Sequence, residues 1–167
     1  LSEQEEYEEA VSFFQRASSI ARETGAKLLE GFSLGGLGDV LLALSRFKEA
    51  QETLEEAISL CLTVFPIAAG AYCASLALLL AQKGQLEKAL EYLKEGEPKV
   101  KADPREYGKF LCKKSQVHSL MNNHKIAFQA FQEAQKISDE LKLNRSNSFS
   151  KLLSVTRIQL HDEDLNL

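Results

Sequence analysis

The chain has 167 residues, of which 44% are apolar and 26% are charged, and its formal net charge is −4. This length and composition predict one globular domain and argue against a disordered chain, which would be poorer in large apolar residues. The acidic balance argues against nucleic-acid binding, because that function requires a basic surface. Alanine, leucine, glutamate, lysine and glutamine dominate, and this mixture favours helices over strands.

The cysteines indicate the cellular compartment. Cys61, Cys73 and Cys112 are an odd number without closely spaced pairs, which argues against a disulfide framework and against a zinc site. We therefore expect small apolar residues in a protein of the reducing cytoplasm. The sequence begins with an acidic run and without an initiator methionine, so we also expect a fragment of a longer protein without a signal peptide.

Punctuating residues divide the chain into helices. Gly25 suits the end of a first helix, whereas Pro66 and Pro104 suit first helical turns, with Asp103 as an N-cap. Gly96 and Pro98 predict that one helix kinks or ends early. The sequence therefore predicts a leading helix at about 3–24, hairpins at about 30–62, 67–102 and 105–141, a capping helix at 146–160, and a frayed acidic tail at 161–167.

One long uncharged stretch raises the question of a membrane span. It runs from Cys61 to Gln82 and is interrupted by Pro66. The uncharged helix that remains would be only about 24 Å long at a rise of 1.5 Å per residue, which is short for a bilayer core. We expect a buried central helix and no insertion into a membrane.

A helical pattern recurs four times at intervals of 40, 39 and 38 residues. Each copy has an alanine followed four residues later by a large apolar residue, a spacing that puts both on one helical face. A recurring pattern of this length is typical of stacked helical repeats. The pairs are Ala10 with Phe14, Ala50 with Leu54, Ala89 with Leu93, and Ala127 with Phe131.

A second pattern precedes three of these copies. Apolar residues lie at positions i, i+3 and i+7 of a helical face, with a small residue at i+4 that permits close approach of a partner helix. The third copy is weaker because Lys114 stands where a leucine is expected. The three copies are Leu34, Leu37, Gly38 and Leu41; Cys73, Leu76, Ala77 and Leu80; and Leu111, Lys114, Ser115 and His118.

Together these residues resemble the tetratricopeptide repeat, whose pattern is W-x2-L-G-x2-Y followed by A-x3-F. The best match is Leu34-x2-Leu37-Gly38-x2-Leu41 with Ala50-x3-Leu54-x2-Ala57. The spacing is similar to that of the long-repeat subgroup of the family. The resemblance, over about 3–141, implies an all-α fold in one domain over 1–160, a right-handed solenoid of three antiparallel hairpins with a leading helix and a C-terminal capping helix. It also implies that the first helix of each hairpin lines a concave groove.

No motif for chemistry accompanies the repeats. The run Gly35-Gly36-Leu37-Gly38 lacks the strand and the lysine of phosphate-binding loops, so we interpret these glycines as a crowded helix crossing. His118 and His124 are six residues apart, which does not match metal-ligand spacing on a helix. The carboxylates lie beside lysines on solvated faces. We expect no enzyme activity, no cofactor and no metal site.

The implied groove is a candidate partner-binding site. Its first and middle parts are small and apolar, and its last part is basic, so we expect a peptide or amphipathic helix of another protein, with an acidic end. In the alternative interpretation, the small residues simply let successive hairpins close on each other. The candidate residues are Phe32, Gly35, Asp39, Leu42, Ala71, Ala74, Leu78, Ala81, Lys109, Cys112, Lys113 and Gln116.

Two functions remain open at this point. The array either serves as a protein–protein interaction scaffold for a separate partner, or it is a self-association or intramolecular regulatory module of a larger signalling protein. The resemblance does not choose between them, because one fold serves many functions.

Overall fold

The computed structural model describes residues 2–142 and 147–164, with side chains described up to residue 161. These residues form eight helices and no strand, which confirms the predicted all-α fold. The helices are α1 (Glu3–Glu23), α2 (Lys27–Ala43), α3 (Phe47–Val64), α4 (Pro66–Gln82), α5 (Leu86–Val100), α6 (Pro104–Leu120), α7 (His124–Glu140) and α8 (Ser148–Asp164).

The helices stack in chain order as a solenoid. Helix α2 forms a hairpin with α3, α4 with α5, and α6 with α7, while α1 packs on α2 and α8 packs on α6 and α7. Successive first helices, α2, α4, α6 and α8, contact one another. The backbones of the second helices α3, α5 and α7, which the structure describes in full, do not contact one another. The backbones of the first helices therefore lie closer to one another than those of the second helices, as expected for the concave side of the implied solenoid.

Capping residues begin two helices at the predicted places. The Ser2 hydroxyl accepts a hydrogen bond from the amide of Glu5, whose carboxylate accepts one from the Ser2 amide, so that a capping box starts α1. The carboxylate of Asp103 accepts from the amide of Glu106 at 3.0 Å and starts α6. Pro66 and Pro104 occupy first helical turns.

Left-handed residues make the turns within the hairpins. Gly84 has φ +77° and Asn122 has φ 57°, as expected from residues that tolerate this conformation. Ser45 adopts φ 58° at the equivalent place in the first hairpin, where the sequence had shown no turn signal.

Three of the glycines of α2, Gly35, Gly36 and Gly38, are explained by the three helices that pack against it. A Cβ atom at Gly38 would lie 2.5 Å from Cγ of a leucine, and one at Gly35 would overlap a tyrosine ring. Each glycine thus makes room for a side chain of a different helix, which supports the interpretation as a crowded crossing. The side chains are Phe14 of α1 beside Gly36, Leu54 of α3 beside Gly38, and Tyr72 of α4 beside Gly35.

Helices α4 and α5 form the centre of the array. Helix α4 is buried from Cys73 to Ala81, as expected for its uncharged sequence. Helix α5 continues through Gly96 and Pro98 and ends at Val100 after 15 residues. A Cβ at Gly96 would lie 2.8 Å from the Gly70 carbonyl oxygen, so the glycine permits the close approach of α4 and α5. Among the described residues, no helix has both the length and the hydropathy needed to cross a membrane.

Helix α8 covers the last hairpin. Phe149, Leu153 and Thr156 are buried, and a Cβ at Gly108 would overlap the Phe149 ring. The outer face carries the polar residues Lys151 and Arg157, but Val155 and Ile158 are also exposed. The helix extends to Asp164 and so includes four residues of the predicted tail; the first predicted cap residue, 146, and residues 165–167 lie outside the described residues.

Candidate partner-binding groove

The structure divides the twelve candidate groove residues into two equal groups. Half-buried positions, which keep part of their surface accessible, are Phe32, Asp39, Leu42, Ala71, Lys109 and Lys113. Buried positions are Gly35, Ala74, Leu78, Ala81, Cys112 and Gln116. The small side chains in this buried group, those of Gly35, Ala74, Ala81 and Cys112, permit the close approach of α2, α4 and α6. Among the twelve candidates, the accessible surface is therefore confined to the half-buried group.

Five of the half-buried residues, all except Leu42, border one recess on this side of the array, which we call the groove pocket. It has a volume of about 360 Å³. Its apolar wall consists of aromatic rings from four different helices: Phe14 of α1, Phe32 of α2, Tyr72 of α4 and Phe110 of α6. The absence of a side chain at Gly35 and Gly36 permits two of these rings, Tyr72 and Phe14, to lie against α2.

Ion pairs neutralise the charged rim of the groove pocket. The ammonium of Lys113 lies 3.3 Å from a carboxylate oxygen of Asp39 and donates a hydrogen bond of 2.6 Å to the Ser75 hydroxyl. Lys109 pairs with Glu106, one turn earlier on α6, at 2.8 Å. The predicted basic end of the groove therefore has no net charge, and Lys113 ties α6 to α4 and α2.

The electrostatic environment of the groove pocket acts on Tyr72. Burial is the main cause that raises the pKa of Tyr72 above its ordinary value, and the nearby Cys61, Asp39 and Glu106 raise it further. The tyrosine hydroxyl therefore stays protonated at neutral pH and is available as a hydrogen-bond donor.

The sequence had missed five residues of the groove pocket. The pocket is lined by five residues that were not among the candidates: Phe14, Gly36, Tyr72, Glu106 and Phe110. Tyr72 and Phe110 each follow a candidate position, Ala71 and Lys109, by one residue. A bulky aromatic residue directly after a candidate position is the signal that could have found Tyr72.

A second accessible apolar surface adjoins the groove pocket at one end of the first hairpin. We call it the apolar rim; it consists of Leu28, Leu29, Leu62, Val64 and Phe65, all exposed. Phe65 meets Phe32 of the groove pocket edge to face, with ring centroids 5.5 Å apart. In the second hairpin, one repeat of 39 residues later, the positions of Leu62 and Val64 are taken by Lys101 and Asp103. Of these two hairpins, only the first therefore has the complete apolar rim.

The interior of the third hairpin is polar where the first two are apolar. Lys114 of α6 pairs with Glu97 of α5 at 2.9 Å. The Ser115 hydroxyl donates a buried hydrogen bond of 2.7 Å to the Ala127 carbonyl of α7. His118, on the same face, is also buried.

No arrangement for chemistry accompanies these features in the described residues. The three cysteines are free and buried, and burial raises the pKa of the Cys112 thiol to about 12, so that it is not a nucleophile at neutral pH. The described residues hold no group of three histidine, cysteine or acidic side chains placed to bind a metal ion.

Comparison with known proteins matches the repeats to one family. Two family models, both described as tetratricopeptide repeat, match residues 1–63 and 70–96. A comparison with curated proteins finds no match. Repeats of this family form non-catalytic scaffolds that generally mediate protein–protein interaction. With the hairpins in the predicted register and the family models over most of its first 96 residues, the chain belongs to the tetratricopeptide repeat superfamily.

Proposed function

We propose that this chain binds a segment of another protein in its concave groove, and that the groove pocket takes an apolar side chain of that segment. The observation that carries the proposal is the wall of four aromatic rings on the side where α2, α4 and α6 meet. Aromatic residues contribute most to the binding energy of interfaces, because they offer a large rigid surface.

The size of the groove pocket sets the kind of occupant. A volume of about 360 Å³ is near the lower end of the roughly 300–1,000 Å³ range of small-molecule pockets. It suits one or two side chains of an extended or helical segment and is too small for a folded domain.

An acidic residue of the partner could bind only by displacing a carboxylate that already forms an ion pair in the groove pocket. A carboxylate of the partner would replace Asp39 as the neighbour of Lys113. Because the Asp39 side chain is 44% exposed, its ion pair contributes only about 0–1 kcal/mol, and the exchange costs little. A partner with an apolar anchor and an adjacent acidic residue therefore fits the groove pocket.

A peptide selected from a random-peptide phage library provides the probe. Its dissociation constant is measured by fluorescence polarisation with the wild type and with Ala71→Phe, which places a ring in the groove pocket. We expect binding at least about tenfold weaker, or 1.4 kcal/mol, because the added ring occupies the place of the anchor. The control is Ala102→Phe at an exposed turn. Equal affinities for both variants, or no selected peptide, would contradict the proposal.

The apolar rim favours a second candidate function, self-association with another copy of the chain. Its side chains carry no formal charge, so pairing two identical rims about a two-fold axis brings no like charges together. Exposed apolar clusters of this kind mark interaction sites more often than isolated apolar residues do.

Light scattering over a concentration series tests the second candidate. We expect the molar mass to rise from 18.6 kDa toward twice that value, and Leu29→Asp to keep the protein monomeric. Ile158→Asp is the matched control, because both side chains are 60% exposed. A monomer at every concentration would exclude self-association through the apolar rim and leave the groove proposal untouched.

A further inference from the structure

His118 stands at a position where the other hairpins have leucine. Its counterparts are Leu41 in α2 and Leu80 in α4, and all three are buried in the helix interface. The His118 side chain is only 8% exposed. Within the part of the chain that the structure describes, no group donates to or accepts from its Nδ1 atom. The imidazole is therefore enclosed without a hydrogen bond at this nitrogen that would favour a particular charge state.

Two charged groups act on the imidazole, Lys114 of α6 and Glu97 of α5. Lys114 lies one turn earlier on α6, and its ammonium pairs with Glu97 of α5. The Tyr107 hydroxyl lies 3.3 Å from carboxylate oxygens of both Glu97 and Glu133 of α7, which share its single proton. His124 follows at the start of α7, directly after the residue whose amide donates to the His118 carbonyl. The Glu97 carboxylate, which acts on the imidazole, is thus already engaged by Lys114 and Tyr107.

The environment disfavours the protonated imidazole. Burial lowers the pKa of His118 below its ordinary value of 6.5, and the Lys114 cation lowers it further, whereas Glu97 raises it by a smaller amount. A histidine exposed by opening of the hairpin regains its ordinary pKa, so the open form binds the proton more readily than the closed form. The closed form is then favoured above pH 6.5 and loses this advantage as the pH falls toward the pKa of the folded protein.

We propose that His118 makes the third hairpin an acid-sensitive element, in which protonation of His118 loosens α6 and α7 from α5 while the first two hairpins stay closed. Leucines at the equivalent positions of α2 and α4 cannot take up a proton, which confines the effect to one hairpin. Helix α6 also carries Phe110 and Lys113, so loosening it alters the groove pocket. The inference itself does not depend on whether that pocket binds a partner.

Hydrogen exchange of the whole chain tests the proposal. Protection factors, which correct for the intrinsic pH dependence of exchange, are measured in α6–α7 and in α2–α3 at pH 7.5 and 5.5. A histidine with an ordinary pKa when exposed and a well-lowered pKa when buried increases the opening equilibrium by up to about tenfold over this interval. We expect this increase in α6–α7 and not in α2–α3. His118→Leu should abolish it, and the exposed control His161→Leu should not.

A direct titration of His118 in the wild type tests the proposal without any substitution. The NMR signals of the His118 imidazole in the wild type should report a pKa below 6.5. A pKa at or above 6.5, or an equal pH dependence of α6–α7 in the wild type and His118→Leu, would overturn the proposal.

Discussion

The first and third hairpins solve the same packing problem in different ways. In the first, a glycine lies between two leucines on the face of α2, and Leu54 of α3 fills the space above the glycine. In the third, the two flanking residues are a lysine and a histidine, and the middle residue is a serine hydrogen-bonded to α7. The compared residues are Leu37, Gly38 and Leu41 in α2, and Lys114, Ser115 and His118 in α6.

The comparison shows that the size of the middle residue is constrained in both hairpins, whereas the polarity of the flanking residues is not. The middle residue stays small in both hairpins, because the two helices approach most closely there. The flanking positions accept polar residues where a neighbouring helix supplies a partner, as Glu97 does for Lys114. His118 lacks such a partner at Nδ1 among the described residues, and we therefore expect the third hairpin to be least stable at this position.

Filling the close contact in the first hairpin should have the largest effect. We expect Gly38→Val to lower the free energy of unfolding by about 3 kcal/mol, because its Cβ would lie 2.5 Å from Cγ of Leu54. Urea unfolding followed by circular dichroism measures the change. Ala43→Val, at an exposed position of the same helix, is the control and should change stability by less than about 0.5 kcal/mol. Equal stabilities of the two variants would show that α2 and α3 can separate without cost.

Much of this fold follows from residues that act locally. Pro66 and Asp103 begin helices because one fits the first turn and the other caps it, and neither effect needs a distant partner. The repeated small residue on the face of α2, α4 and α6 then fixes which faces meet. These signals suffice for the helix order and the register of the hairpins.

The accessible part of the groove does not follow from local signals. Leu78 lies on the groove face of α4 by periodicity, yet it is buried, because periodicity gives a direction and not the distance to the next helix. Gly35 was expected to line the groove, and the Tyr72 ring covers it. The ion pair of Lys113 with Asp39 joins residues 74 positions apart, a separation that no sequence pattern reveals.

Replacing His118 by the leucine found in the first two hairpins tests the third hairpin of this comparison. We expect His118→Leu to raise the free energy of unfolding at pH 7.5 by about 1.5 kcal/mol, because it removes a buried polar atom without a partner. Urea unfolding measures the change, with the exposed His161→Leu as the control. A loss of stability would mean that the imidazole contributes a contact that a leucine cannot replace.

Removing the Ser115 hydroxyl should give the smallest effect, because two contributions oppose each other. The buried hydrogen bond to the Ala127 carbonyl contributes about 1 kcal/mol, whereas alanine favours the helix over serine by about 0.5 kcal/mol. Ser115→Ala should therefore cost about 0.5 kcal/mol, since the Ala127 carbonyl keeps its acceptor role within α7. Ser154→Ala is the matched control, because the Ser154 hydroxyl donates to a backbone carbonyl on an exposed face. If Ser115→Ala were as neutral or stabilising as that control, the small size of the residue alone would hold α6 and α7 together, as Gly38 does for α2 and α3.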